Sequence, residues 1–234
     1  MVVQALDHCW SPRMPMVAPS LTGEYVRIDP LNVKEDVPLL WDALGGNDGT
    51  INERLKWYGM EDFESQQDLS KLLQSIEEPE GCCVNILRLA STNQIAGMAS
   101  YIATVADHGV TEIGYVAHGP AMERSPASTE AHYLLAKHCF ETMEYRRYEW
   151  KCDSNNIPSG NAALRYGFTF EGKFRQHRVT ARNTNRDTHY YSMIDSEWPH
   201  RKHVFELWLS SSNFDANGQQ KKKLQFFREQ QQES

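Results

Sequence analysis

In residues 111–118, Ile113, Tyr115 and Ala117 alternate with Glu112, Gly114, Val116 and His118, the period of two that a strand requires. In residues 128–144 the period lengthens. Ala131, Leu134, Leu135, Cys139 and Met143 recur at helical spacing, and Ser125 before Pro126 makes an N-cap and first-turn pair. From 147 to 153 the period is two again, with Arg147, Glu149, Lys151 and Asp153 alternating with Tyr148, Trp150 and Cys152. Strand, crossover helix and strand predict two parallel neighbours in one sheet, joined right-handedly. A turn follows at 156–159. Ser159 is expected to cap a short helix, Gly167 to end it, and Phe168 to open another strand.

The same reading predicts a strand at 24–28 and a helix at 33–44, with Val37, Leu40, Trp41 and Leu44 on one face. The glycine-rich stretch 45–49 breaks the chain, and short helices follow at 51–58 and 63–76. Residues 84–90 and 94–102 form a hairpin about Ser91, Thr92 and Asn93, and 110–118 completes an antiparallel run. A second hairpin joins 174–180 to 187–194, and a helix spans 197–209 with Phe205, Trp208 and Leu209 docking it. No linker-like break divides the chain. The expected organisation is one domain at 21–210, an irregular arm at 1–20 and a partly helical tail at 211–234, whose Gln- and Lys-rich end frays.

Charge and cysteine content narrow the classes. The net charge is −7, so an acidic chain argues against nucleic acid as a partner. The five cysteines show no metal-ligand spacing, and Cys139 and Cys152 fall on apolar faces. Buried free thiols in a reducing, cytoplasmic setting are the expectation, with no metal. The first twenty residues lack a basic start with an apolar run, and no stretch of about 18 apolar residues exists, so neither a secretory signal nor a membrane span is expected.

Several short motifs follow one another in a fixed order. They are Glu112-Ile113-Gly114-Tyr115, Thr129-Glu130-Ala131, Asn156-Ile157-Pro158-Ser159 and Gly167-Phe168-Thr169-Phe170-Glu171-Gly172. In these the chain resembles the GNAT superfamily of acyl-coenzyme A-dependent N-acyltransferases, and within it the branch similar to ribosomal-protein N-terminal (alanine/serine) acetyltransferases. The resemblance runs from about Thr22 to Trp208. It implies an α/β (α+β) fold with a mixed central sheet, a splayed parallel strand pair and a crossover helix. It also implies acetyl-coenzyme A as co-substrate and an amine, of a small molecule or of a peptide or protein N-terminus, as acceptor. Two departures stand out. The pyrophosphate loop of the superfamily is glycine-rich, whereas the aligned segment here is Glu123-Arg124-Ser125-Pro126-Ala127-Ser128, and Pro126 offers no N–H. The tyrosine that many members place four residues before the Gly-Phe pair is Ala163 here.

The resemblance assigns candidate roles. Glu112 lies on the strand that runs beside the thioester and is the candidate base; its competing role is to satisfy a neighbouring Arg or Thr. An N–H near Val116 would face the developing oxyanion, on a strand that carries a bulge in the family. Arg124, Ser125, Ala127, Ser128 and Thr129 are the coenzyme phosphate candidates, and Asn156 and Ser159 contact the coenzyme further along. Ser159 is the candidate acid for the leaving thiolate; its competing role is that of a plain helix cap. Trp57 and Tyr58 from the early helices, and Arg175 and Asp187 from the late hairpin, are acceptor-site candidates. No cysteine has a histidine partner in a nucleophile pattern, so direct transfer in a ternary complex is expected. A catalytically inactive module that binds coenzyme A or a peptide is the alternative from another functional class.

Overall fold

The computed structural model describes residues 10–230. After a short strand β1 (Leu21–Thr22) come β2 (Val26–Pro30), α1 (Val33–Leu44), α2 (Thr50–Leu55) and α3 (Gln66–Glu77). Strands β3 (Cys83–Leu89), β4 (Ile95–Val105) and β5 (Val110–His118) follow, then α4 (Pro126–Lys137), β6 (Arg147–Asp153) and α5 (Ile157–Tyr166). The chain continues with β7 (Thr169–Val179), β8 (Asn185–Ile194), α6 (Trp198–Leu209) and α7 (Leu224–Gln230). The eight strands form one sheet in the order β1-β2-β3-β4-β5-β6-β8-β7. Among the described residues only β5 and β6 run parallel, and α4 is their crossover. This is the mixed α/β sheet with one parallel pair that the strand–helix–strand pattern predicts.

Each face of the sheet buries its own core. On one side Leu40, Trp41 and Leu44 of α1, Ile51 of α2 and Leu69 and Leu73 of α3 pack on Val84, Ile86 and Met98. On the other, Ala131, Leu135 and Cys139 pack with Tyr101, Tyr148, Trp150, Phe205 and Trp208. The ends of α1 follow from local chemistry. Asn32 caps its start by accepting the Glu35 N–H, and Gly45, at φ 84°, takes the left-handed turn that a side chain disfavours.

A buried carboxylate ties the crossover helix to the sheet. Glu130 of α4 accepts the backbone N–H groups of Glu24, Tyr25 and Val26 at 2.8, 2.7 and 2.8 Å. A Cβ on Gly23 would stand 2.3 Å from that carboxylate, so a side chain there would push it off its three N–H donors. The Thr129-Glu130-Ala131 motif therefore has an architectural role as well as a position near the helix start.

Four expectations are corrected. Residues 51–58 divide into α2 and a 3-10 turn at Lys56–Tyr58, and the third helix starts at Gln66, because Ser65 caps it through the Asp68 N–H. The helix after β6 is capped by Asn156, whose side chain accepts the Ser159 N–H at 3.2 Å, so Ser159 is inside the helix rather than its cap. The crossover helix does not stay regular to 144; a π-helical turn at His138–Thr142 ends it. The Gln- and Lys-rich end is docked up to Gln230, with Leu224 buried and Arg228 donating to the Leu164 carbonyl at 2.7 Å. Residues 231–234 lie outside the described residues, as do residues 1–9 with Cys9.

Candidate active site

Strands β5 and β6 pair at three positions only, Val110 with Arg147, Thr111 with Tyr148 and Glu112 with Glu149. Beyond Glu112 they part. Each stays with its other neighbour, β6 with β8 along its full length and β5 with β4. Two irregularities in the β4–β5 ladder drive the separation. Between Gly114 and Ala117, β5 carries one residue more than β4, and Tyr115 adopts φ 46°. Between Ile102 and Val105, β4 carries the extra residue, with Ala103 at φ 48°. Bulges of this kind bend a strand and increase its twist, which turns β5 away from β6.

The bulge also corrects the simple alternation. Ile113 and Val116 pack towards the α4 side, whereas Tyr115 and Ala117 pack towards α1–α3. Strict alternation puts Ile113 and Tyr115 on one face. The extra residue moves Tyr115 to the other, which it shares with Glu112.

A cleft of about 340 Å³ fills the gap. Its lining includes Glu112, Gly114, Tyr115 and Val116 from β5, Trp150 to Asp153 from β6, and Asn156 and Ser159 from α5. Trp57 and Tyr58 enter from the 3-10 turn, and His177, Arg178, Arg186 and Thr188 from the β7–β8 hairpin. The tip of that hairpin is pinned to the same 3-10 turn, since Ala181 donates to the Gly59 carbonyl at 2.8 Å.

Glu112 is buried, and its carboxylate meets Lys151 Nζ at 2.8 Å. Lys151 also meets Glu149 at 2.7 Å, and Glu149 meets Arg147 at 2.7 Å. The polar residues of β6 thus form a ladder of alternating charge that ends on Glu112 across the parted strands. Burial raises the Glu112 pKa, and Lys151 acts against that rise. For Lys151 burial opposes the charge, but the attraction of Glu112 and Glu149 prevails and its pKa is raised. The partner that satisfies Glu112 is therefore a lysine, not the arginine or threonine expected.

Ser159 Oγ accepts the Trp150 Nε1–H at 3.0 Å, which leaves its own proton available for donation. It is a hydrogen-bond neighbour of Cys152, whose thiol burial pushes up and Ser159 pulls back. A buried thiol with a raised pKa is a poor nucleophile. His118 and His132 form an aromatic pair 5.8 Å apart between centroids. Burial pushes the His118 pKa down to about 4 and lowers that of His132 as well, so both rings are neutral near pH 7. His118 Nε2, His132 Nδ1 and Tyr58 Oη are shut from solvent without a hydrogen-bond partner, and all three residues line the cleft. Polar atoms of that kind fit a cleft built to receive a polar guest.

The remaining candidates lie elsewhere. Ala127 and Thr129 are buried in α4, and Thr129 Oγ1 accepts a hydrogen bond from Arg165 at 2.9 Å. Ser125 Oγ donates to the Met122 carbonyl and Ser128 Oγ to the Ser125 carbonyl, while Arg124 adopts φ 57°. These residues stand at the N-terminus of α4, outside the cleft lining. Arg175 and Asp187 line a separate shallow groove with Gln176. Asp187 pairs with Lys173 at 2.9 Å, accepts the Gln176 N–H, and its pKa is lowered by Asn185 first. Ala163 is buried in the core. Lys151, His118, His132, Arg178 and Arg186 are among the cleft residues to which the sequence pattern assigns no role. Lys151 and His118 enter it only as alternating positions of strands 147–153 and 111–118.

The GNAT acetyltransferase domain model matches residues 26–169. The chain belongs to the GNAT acetyltransferase family. It is similar to a GCN5-related N-acetyltransferase from Brucella melitensis, with 36% identity and a TM-score of 0.87, over 94% of this chain and 98% of that one. A GNAT-family structure from Chromobacterium violaceum ATCC 12472 has 33% identity and a TM-score of 0.77, over 85% of this chain and 98% of that one. An acetyltransferase from Salmonella typhimurium that modifies the N-terminal serine of a 50S ribosomal subunit protein shares the fold at 18% identity and a TM-score of 0.62, over 74% of this chain and 96% of that one. No curated protein matches the chain. Among the described residues no helix is long and apolar enough to cross a membrane.

Proposed function

We propose that this GNAT acetyltransferase transfers the acetyl group of acetyl-coenzyme A directly to a primary amine, of a small molecule or of a peptide or protein N-terminus, in the cytoplasm. The observation that carries the reading is the gap between β5 and β6, with a buried carboxylate, Glu112, at the point where the strands part. The coenzyme supplies a thioester whose carbonyl carbon accepts the amine lone pair while the C–S bond breaks. Glu112 takes the proton that the amine must lose, directly or through a water. Its raised pKa suits a base working nearer neutrality than an exposed carboxylate. Lys151 holds it in place. The Val116 N–H at the bulge is the proposed donor to the thioester carbonyl oxygen, where negative charge grows. Ser159 gives its proton to the departing sulfur. Asn156, at the start of α5, binds the coenzyme.

An alkyl ammonium holds its proton to about pH 10.4 and an α-amino group to about 8, so the second asks less of Glu112. Arg124, Ser125 and Ser128, with the Ala127 N–H, take the place of the glycine-rich phosphate loop in this reading, while Thr129, fully buried and bonded to Arg165, braces the helix start behind them. The raised thiol pKa of Cys152 supports direct transfer over an acyl-enzyme. The test follows thiol release from acetyl-coenzyme A with a panel of amines and identifies the amide by mass spectrometry. Intersecting double-reciprocal plots are expected. Parallel plots with a burst of free coenzyme A contradict direct transfer, and coenzyme binding without release for any amine contradicts the enzyme.

A further inference from the structure

The cleft lining carries Arg54, Lys151, Arg178 and Arg186 against Glu112 and Asp153, whereas the chain as a whole has a net charge of −7. Arg178 and Arg186 sit directly opposite one another on β7 and β8, and both line the cleft. Like charges directly opposite across an antiparallel ladder are destabilising. A carboxylate between them would offset the repulsion, yet among the described residues neither arginine forms an ion pair. Glu112 and Asp153 are the carboxylates in the lining. Glu112 is held by Lys151 at 2.8 Å, with Arg178 acting on it only from beyond ion-pair distance, and Asp153 accepts the Asn155 N–H at 2.8 Å.

Strand irregularity places these side chains. From Phe174 to Arg178 the edge strand advances four residues while β8 advances two, from Thr188 to Arg186, and Gln176 adopts φ 49°. The bulge gives Arg175 to the outer groove and Arg178 to the cleft. Arg186 donates to Thr188 at 3.2 Å, which fixes its stem and leaves donors of the guanidinium free. Tyr58 lines the same cleft, edge-on to Tyr115 at 5.1 Å between ring centroids, with its buried hydroxyl unpartnered. Arg178 and Arg186 both act on Tyr115, Arg178 also acts on Glu112, and Tyr58 packs on the Tyr115 ring, so two guanidinium groups and a phenol lie around the Glu112–Tyr115 stretch of the cleft.

We propose, resting on the acetyltransferase reading above, that the acceptor amine carries an anionic group, a carboxylate or a phosphate, which seats on Arg178 and Arg186. An acceptor with a second ammonium meets repulsion from the same pair. The guanidinium forks suit either anion bidentately. The net charge of −7 would by itself suit a basic acceptor, and the charges that line the cleft point the other way.

The experiment compares ethanolamine, β-alanine, 2-aminoethyl phosphate and ethylenediamine as acceptors at one pH, for the natural chain and for R178Q/R186Q. β-Alanine or 2-aminoethyl phosphate should exceed ethanolamine in kcat/KM by about tenfold or more, the effect of one charge-assisted hydrogen bond. The better of the two tells carboxylate from phosphate. In R178Q/R186Q that preference should collapse towards unity through a rise in KM, with no loss of thermal stability because a repulsion is removed. Equal use of all four amines, a preference for ethylenediamine, or a preference that survives the double substitution overturns the proposal. Thermal-shift binding of N-acetyl-β-alanine and N-acetyl-2-aminoethyl phosphate reads the anion seat without chemistry. Stabilisation of the natural chain but not of R178Q/R186Q supports the seat even if no amine is acetylated, an outcome that sinks the transferase reading alone. No stabilisation by either product overturns the seat.

Discussion

Replacing Lys151 with Met tests whether the ion pair across the parted strands sets the state of Glu112. The two charges lie 2.8 Å apart, with side chains 15% and 10% exposed. At an effective dielectric constant of about 20, Coulomb attraction at that distance is roughly 6 kcal/mol, and the desolvation of both groups offsets much of it. Removing one partner leaves the other buried and uncompensated, which destabilises by about 3–5 kcal/mol. The contact of Lys151 with the Tyr190 ring, at 5.0 Å to its centroid, is lost as well. For a chain of this size the sum corresponds to a fall in Tm of roughly 10 °C. The penalty depends on pH in a defined direction. Burial already raises the Glu112 pKa, and loss of Lys151 raises it further. A carboxyl group that binds its proton more tightly in the folded chain favours folding below its unfolded pKa and disfavours it as pH climbs. The deficit of K151M is therefore largest near pH 7 and shrinks towards pH 4. Thermal unfolding at pH 7 and pH 4.5 measures this, with E112Q/K151M as the control. The double variant removes both charges of the pair and leaves Glu149 with Arg147 at 2.7 Å, so it should recover about 2–3 kcal/mol relative to K151M. If E112Q/K151M is as unstable as K151M at neutral pH, the Glu112 charge is not what Lys151 compensates.

Three further outcomes are expected. E112Q should lower kcat by about a hundredfold or more, as loss of a general base does. The loss should narrow at high pH, where more amine arrives already deprotonated; an equal rate at every pH removes Glu112 as base. N156A should lower stability by about 1 kcal/mol through the lost cap and also raise the KM for acetyl-coenzyme A, measured by denaturant unfolding and steady-state kinetics. A stability loss with unchanged KM limits Asn156 to capping. His118, held down to about 4, stays neutral in the fold where an unfolded histidine charges near 6.5. A depressed folded pKa means that stability falls as pH drops through that window, by about 3 kcal/mol in all. H118N should therefore flatten the fall between pH 6.5 and 4.

The elements were legible where the period was clean. Residues 33–44 and 147–153 emerge with their predicted bounds, because amphipathic faces of one period leave little room for error. The parallel pair and its crossover helix were legible for the same reason. The site was half legible. Glu112, Val116, Asn156 and Ser159 share one cleft with Trp57 and Tyr58. What escaped depends on bulges, which carry no signature of their own in the residue pattern. One extra residue moved Tyr115 across the sheet, and two exchanged Arg175 for Arg178 in the cleft. The Lys151 contact was invisible too, since it exists only because β5 leaves β6 after Glu112. Ser159 and Asn156 both suit a cap by residue type, and Asn156, three residues earlier, takes the role with the better-placed oxygen.

Backbone amide hydrogen exchange, with and without acetyl-coenzyme A, tests the central geometry most directly. Slower exchange on binding is expected at residues 114–117, where β5 has left its parallel neighbour, and at the opening turn of α4 around Ala127–Thr129. Protection confined to other parts of the chain, with these two stretches unchanged, would contradict that geometry.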